Sequence, residues 1–359
     1  MSKLHCMNKK LVFIVCGGLS LLTIVVVLSL SYLIKRGASH VQPKLVIDED
    51  GGADDAMAIF MALICEKYLN GPQVVGLTTV HGNVNESQAY INTQRILNIA
   101  ERKDVPIYRG AASPFIHGIP SDKFFGEDGL GDNKVEDYDK LPAKPIHAAL
   151  ALIHLSHLYG DKLIVVAIGS LTNIGLAIKL DPEFVSRIGQ LYVGAGHIHT
   201  AEHKEAEFNA AMDPEAYHIV ANHSYPSQVT VVPFSPILTY VKIEKNWRIN
   251  VLGKIPTVIS SYMMIFERKS IAAVDYWANL DPAVMAVVLR ESLVDEFKFS
   301  LNSVILCGTD RGVTPHDFLS ENANTRVAVR INKVKYMLFL YTVFSAPLEG
   351  SGHSNGPYS

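Results

Sequence analysis

The sequence predicts an α/β fold, with a mainly parallel central sheet, helices on both faces, and one transmembrane helix ahead of it. Three observations predict it. Apolar strand-like runs alternate with helical patterns along most of the chain. A hydrophobic share of 48% against 19% charged can fill a large core and argues against general disorder. Residues 11–34 carry no charge at all.

That uncharged run comes first. As a helix it would extend about 36 Å, enough to cross a bilayer core of about 30 Å with some tilt. Lys9 and Lys10 precede it, and Lys35 and Arg36 follow. It exceeds the apolar stretch of about 7–15 residues found in a cleavable signal peptide, and Lys35-Arg36-Gly37-Ala38 makes a poor cleavage site. The expectation is an uncleaved signal-anchor. Lys3, Lys9, Lys10 and the amino terminus make residues 1–10 cytoplasmic, which puts the rest on the extracellular or lumenal side. Sequons at Asn85 and Asn222 are compatible with that side. Residues 35–42 read as a linker, 43–345 as the globular domain, and 346–359, rich in Ser, Gly and Pro, as a flexible tail.

Charge and cysteine content exclude some classes. A formal net charge of -3 leaves no basic surplus to neutralise phosphates, so nucleic acid is not expected as a partner. Cys6 and Cys16 lie in the N-terminal segment, leaving Cys65 and Cys307, too few for a disulfide scaffold.

Within the globular part, strands are expected at residues 44–47, 74–79, 163–168, 190–193 and 228–232. Helical patterns cover 54–69 and 87–102, and another begins near Leu171. In parallel sheets of this kind, ligands bind at the carboxyl ends of the strands. The first strand ends in Asp48-Glu49-Asp50-Gly51-Gly52-Ala53-Asp54-Asp55, five acids in eight residues. Alternation puts Asp48 and Asp50 on one side, and Asp54 and Asp55 open the next helix, where carboxylates suit the positive end of the dipole. So many crowded carboxylates need a cation to ionise together, and hard oxygen ligands fit calcium or magnesium. The plainer alternative is a helix cap beside a solvated acidic turn.

Two enzyme classes compete for this cluster. An Asp-x-Asp after a first strand resembles the haloacid-dehalogenase phosphatases, but Gly52 stands where that pattern wants Thr or Val. The second resemblance is broader. Val46-Ile47-Asp48-Glu49-Asp50-Gly51-Gly52-Ala53-Asp54-Asp55-Ala56 resembles the opening signature of the inosine-uridine nucleoside hydrolase family. Thr78-Thr79-Val80-His81-Gly82-Asn83-Val84, Pro106-Ile107-Tyr108-Arg109-Gly110-Ala111 and Gly126-Glu127-Asp128-Gly129-Leu130-Gly131 follow in family order. So do Ile168-Gly169-Ser170-Leu171-Thr172-Asn173-Ile174, Glu207-Phe208-Asn209-Ala210-Ala211-Met212-Asp213, Asp281-Pro282-Ala283 and Thr309-Asp310-Arg311-Gly312.

The resemblance implies calcium-dependent hydrolysis of the N-glycosidic bond of ribonucleosides to ribose and free base. It implies calcium held by Asp50, Asp55, Asp281 and the main-chain carbonyl of Ile168, with Asp50 also the general base. Ribose contacts would fall on Asp54, Asn83, Glu207 and Asn209, whose side chains suit hydroxyl groups. It also suggests a homo-oligomer. Carboxylates suit the chemistry, because breaking this bond builds positive charge on the sugar. Several positions depart from the family pattern. Glu49 stands for Thr, Phe125 and Leu280 stand where some members carry His, and Ala201 falls where a sugar-contacting Asn is expected. A catalytically silent nucleoside binder is therefore the alternative. Aromatic pairs at Tyr276-Trp277 and Phe124-Phe125 flank the cleft segments, so Trp277 is expected to stack on the base and purine nucleosides to be favoured.

Overall fold

The structure, a computed structural model, describes residues 42–133 and 138–350. Nine strands form one sheet: β1 (Lys44–Glu49), β2 (Gln73–Thr79), β3 (Ile107–Arg109), β4 (Leu163–Ala167), β5 (Gln190–Val193), β6 (Val229–Val231), β9 (Val294–Asn302), β10 (His316–Asp317) and β11 (Thr325–Ile331). A separate antiparallel pair joins β7 (Ile243–Glu244) to β8 (Tyr276–Trp277). The sheet order is β10-β9-β11-β6-β5-β4-β1-β2-β3. All pairings from β11 through β6 to β3 are parallel, and at one edge β9 runs against its neighbours, antiparallel to both β11 and β10.

Helices cover both faces, as alternation along the central strands shows. Leu45 and Ile47 join one apolar core with helix Ala53–Tyr68, while Val46 joins a second with helices Ala148–Tyr159 and Thr172–Leu180. Strands buried on both sides need continuous apolar runs, which the sequence supplies at Leu45-Val46-Ile47 and Val165-Val166-Ala167.

The expected strands and helices fall within a few residues of their observed bounds. The antiparallel edge was not anticipated. β9 is Val-Asp-Glu-Phe-Lys-Phe-Ser-Leu-Asn, with most of its residues exposed or half-buried, so no apolar run marks it. At the C-terminus, helix Lys333–Gly350 continues past Ser345, and Ala346 is buried, so the folded part extends beyond the expected boundary. Cys65 is buried, Cys307 is exposed, and both are free thiols.

The membrane expectation is corrected. Among the described residues, no helix is long and apolar enough to cross a membrane. The longest, Lys333–Gly350, opens with Lys333 and Lys335 and turns Tyr336, Phe339, Leu340, Val343 and Phe344 into the core, so its apolar residues serve packing. The run at 11–34, on which the signal-anchor and the extracellular or lumenal location rested, lies outside the described residues. That location is withdrawn.

Candidate active site

The carboxyl ends of β1, β2, β4 and β5 open onto a cleft of about 430 Å³. Asp50 follows β1. Its Oδ2 accepts from the Asn83 main-chain N–H at 2.9 Å and from Asn83 Nδ2 at 3.3 Å, while Oδ1 has no partner. Gly82 is required beside it, since a Cβ there would come within 1.8 Å of Asp50 Oδ2. Gly51 supplies the turn, with φ +85°. Asp55 closes the turn by accepting from the amides of Asp50 (3.1 Å) and Gly52 (2.8 Å).

Two helix starts then meet. Asp54 and Asp55 occupy the first turn of Ala53–Tyr68, and Asp281 the first turn of Leu280–Leu289, which packs against it. One carboxylate oxygen from each of the three lies within 4.8 Å of the others. Positive helix ends partly offset the repulsion. Burial pushes Asp50 up to about 6, Asp48 to about 7, Glu49 to about 8 and Glu207 to about 7. Asp54, Asp55 and Asp281 also rise well above the usual carboxylate range, through burial first and mutual repulsion next.

These oxygens suit a hard divalent cation. Asp50 Oδ1 and Asp54 Oδ1 are buried without a hydrogen-bond partner, a costly arrangement that a cation would relieve. The converging triad contains Asp54, which the resemblance gives to ribose, while Asp50 is joined to it through the Asp55 carboxylate. The Ile168 carbonyl accepts from Asn209 Nδ2 at 2.7 Å and retains a second lone pair.

Asp54, Asn83, Glu207 and Asn209 all line the cleft. Two of them also bond backbone. Glu207 accepts from the amides of Gly196 (2.7 Å), Asn209 (3.1 Å) and Ala210 (3.1 Å), and Asn209 spends both amide hydrogens on the carbonyls of Ile168 and Gly194. Glu49 turns away from the cleft and is buried, with Thr93 Oγ1 donating to it. Asp48 accepts from Thr78 and Asn173, so it braces strand ends.

Trp277 requires correction. It is 2% exposed, and its indole N–H donates to Glu267 Oε1 at 2.7 Å. Glu267 is itself buried, is paired with Arg248, and also accepts from Asn279 at 2.9 Å. On the two-residue β8, successive side chains face opposite ways, so Tyr276 lines the cleft and Trp277 enters the core. Phe124, Phe125 and Leu280 do line the cleft. Ala201 borders a separate groove instead. Sequence reasoning missed His197, Lys242, Asp122 and Asn279, all of which line the cleft. His197 was findable, because it follows the end of β5.

A carboxylate floor under an aromatic wall, at the strand ends of an α/β sheet, forms a cleft suited to a small ligand with polar and flat apolar parts. Comparison with known proteins makes the class specific. The model of the inosine-uridine preferring nucleoside hydrolase family matches residues 45–337, so the chain belongs to that family and is a hydrolase of nucleoside N-glycosyl bonds. The haloacid-dehalogenase reading falls with this match. An inosine-uridine preferring nucleoside hydrolase of Crithidia fasciculata is 30% identical over 82% of this chain and 94% of its own length. "Probable uridine nucleosidase 2" of Arabidopsis thaliana is 38% identical, over 49% of this chain and just 55% of that protein. Among solved structures, a plant nucleoside hydrolase superposes with a TM-score of 0.76 at 26% identity, over 85% of this chain and 99% of that one.

Proposed function

We propose that this chain hydrolyses ribonucleosides in a calcium-dependent reaction and favours purine nucleosides. The observation that carries the calcium reading is the buried convergence of Asp54, Asp55 and Asp281 beside two unpartnered oxygens, on Asp50 and Asp54. Asp50, Asp55, Asp281 and the Ile168 carbonyl would hold the ion, with Asp54 close enough to join them. Bound there, calcium supplies the positive charge that keeps these carboxylates ionised, and it orients and acidifies water.

The chain's own residues do the rest. Asp50 takes a proton from the attacking water through Oδ1, the oxygen that has no hydrogen-bond partner among the described residues. Asp54, Asn83, Glu207 and Asn209 hold the ribose hydroxyls. The carboxylates stabilise the cationic sugar as the bond breaks. Purine preference is supported by the wall of Phe124, Phe125, Phe234 and Tyr276, which offers flat apolar area to a large base. The relatives' names include both uridine and inosine, so base choice needs a direct test.

That test is a ribose-release assay with inosine, guanosine, adenosine, uridine and cytidine in parallel. Higher kcat/KM for the purines is expected. Equal or better uridine turnover would remove the purine preference. Tight nucleoside binding without ribose release would favour the silent-binder alternative.

A further inference from the structure

Resting on the hydrolase reading above, the problem left open is the departing base. Breaking the C1′–N bond leaves an electron pair on the base nitrogen, and that charge needs a hydrogen-bond donor. The floor carboxylates, once ionised, only accept. Phe125 and Leu280 line the cleft and donate nothing. Asn279 spends one Nδ2 hydrogen on buried Glu267 at 2.9 Å and is only 6% exposed, so it is held toward the core. Lys242 and Tyr276 are exposed at the rim, where water competes for them.

His197 differs from these. Its backbone is clamped on both sides by one hydroxyl: the His197 N–H donates to Thr314 Oγ1 at 3.1 Å, and that hydroxyl donates to the His197 carbonyl at 3.0 Å. Its ring stacks on Phe234 (centroids 6.1 Å apart, planes at 14°) and on His203 (5.1 Å, 22°). The neighbouring Gly196 amide donates to Glu207 at 2.7 Å, which ties this loop to the carboxylate side of the cleft. Yet among the described residues neither ring nitrogen has a hydrogen-bond partner: Nδ1 is buried, which leaves Nε2 of this half-buried, cleft-lining ring as the nitrogen open to a ligand. A ring fixed this firmly with an unused polar atom is organised for a ligand. Burial also lowers its pKa to about 4, which keeps the imidazole neutral and able to donate one N–H without placing a cation beside the cationic sugar.

We propose that His197 is a catalytic residue that donates a hydrogen bond to the departing base. The C1′–N bond breaks with its electron pair on the base, and the water oxygen bonds to C1′. Asp50 takes the water's proton. The base leaves with its negative charge hydrogen-bonded to His197, is then protonated by solvent, and Asp50 returns its proton to solvent.

The test uses the full chain with calcium and two substrates, inosine and p-nitrophenyl β-D-ribofuranoside. The second has a leaving group that departs without a donor. His197→Phe keeps a flat ring against Phe234 and removes the nitrogens. It should lower kcat on inosine by about 10²-fold and change kcat on the p-nitrophenyl riboside by less than about threefold. His197→Gln, which restores a donor, should recover part of the inosine rate. Parallel losses on both substrates would assign His197 to folding or binding and overturn the proposal, as would undiminished inosine turnover. Wild-type protein inert on both substrates would instead overturn the hydrolase reading beneath it.

Discussion

Mild acidification should stabilise this protein when calcium is withheld. In the fold, burial holds Glu49 at about 8 and Asp48 and Glu207 at about 7, against ordinary values of 4.5 for Glu and 3.8 for Asp. A carboxyl raised in the folded state binds its proton more tightly there than in the unfolded chain. Its contribution is therefore complete below the unfolded pKa and is lost as pH rises through the folded one. Going from about pH 8 to about pH 6.5, these three groups together contribute about 3 kcal/mol. For a folded part of about 300 residues that is a rise in Tm of roughly 5 °C. The lower limit of the window is set by His81, His197 and His316, each lowered to about 4 by burial, whose protonation opposes folding below the usual histidine range. A bound cation favours the ionised carboxylates, so calcium should flatten the slope. Scanning calorimetry across the window, with excess EDTA and separately with calcium, measures both effects. A Tm that falls or stays level on acidification in EDTA would refute the reasoning, and so would an equal rise with calcium present.

Other perturbations separate chemistry from scaffold. Asp50→Asn should lower kcat by about 10²-fold or more while circular dichroism stays native. Tyr276→Ala should raise KM for purine nucleosides by about tenfold, from lost stacking, with a smaller effect on uridine. Trp277→Phe should leave base preference unchanged and cost about 1–3 kcal/mol in denaturant unfolding, because Glu267 loses a buried donor. Thr93→Val should cost a similar amount, about 1–3 kcal/mol, by leaving Glu49 without its hydroxyl partner.

Much of the floor was legible because its residues are close in sequence. Asp50, Asp54 and Asp55 lie on one strand-turn-helix unit, and strand-end logic alone marks that unit as a site. Asp281 is different. It joins them only because the helix that begins at Leu280 packs on Ala53–Tyr68, a contact no local pattern announces. The resemblance supplied it. Trp277 misled because an aromatic pair on a short strand has one ring in and one ring out, and composition does not say which. His197 went unnoticed because its value lies in the Thr314 clamp and the Phe234 stack, both formed by residues distant in sequence. β9 escaped because a half-exposed strand near the sheet edge needs no apolar run.

The central claim is that the buried carboxylates work through a bound calcium ion. The most direct measurement is ribose release from saturating inosine as free calcium is titrated into chelator-stripped protein. The account predicts a single-site saturation curve rising from essentially zero, and for Asp50→Asn a curve that also saturates but at a plateau lower by about 10²-fold or more. Full ribose release in excess EDTA would contradict it.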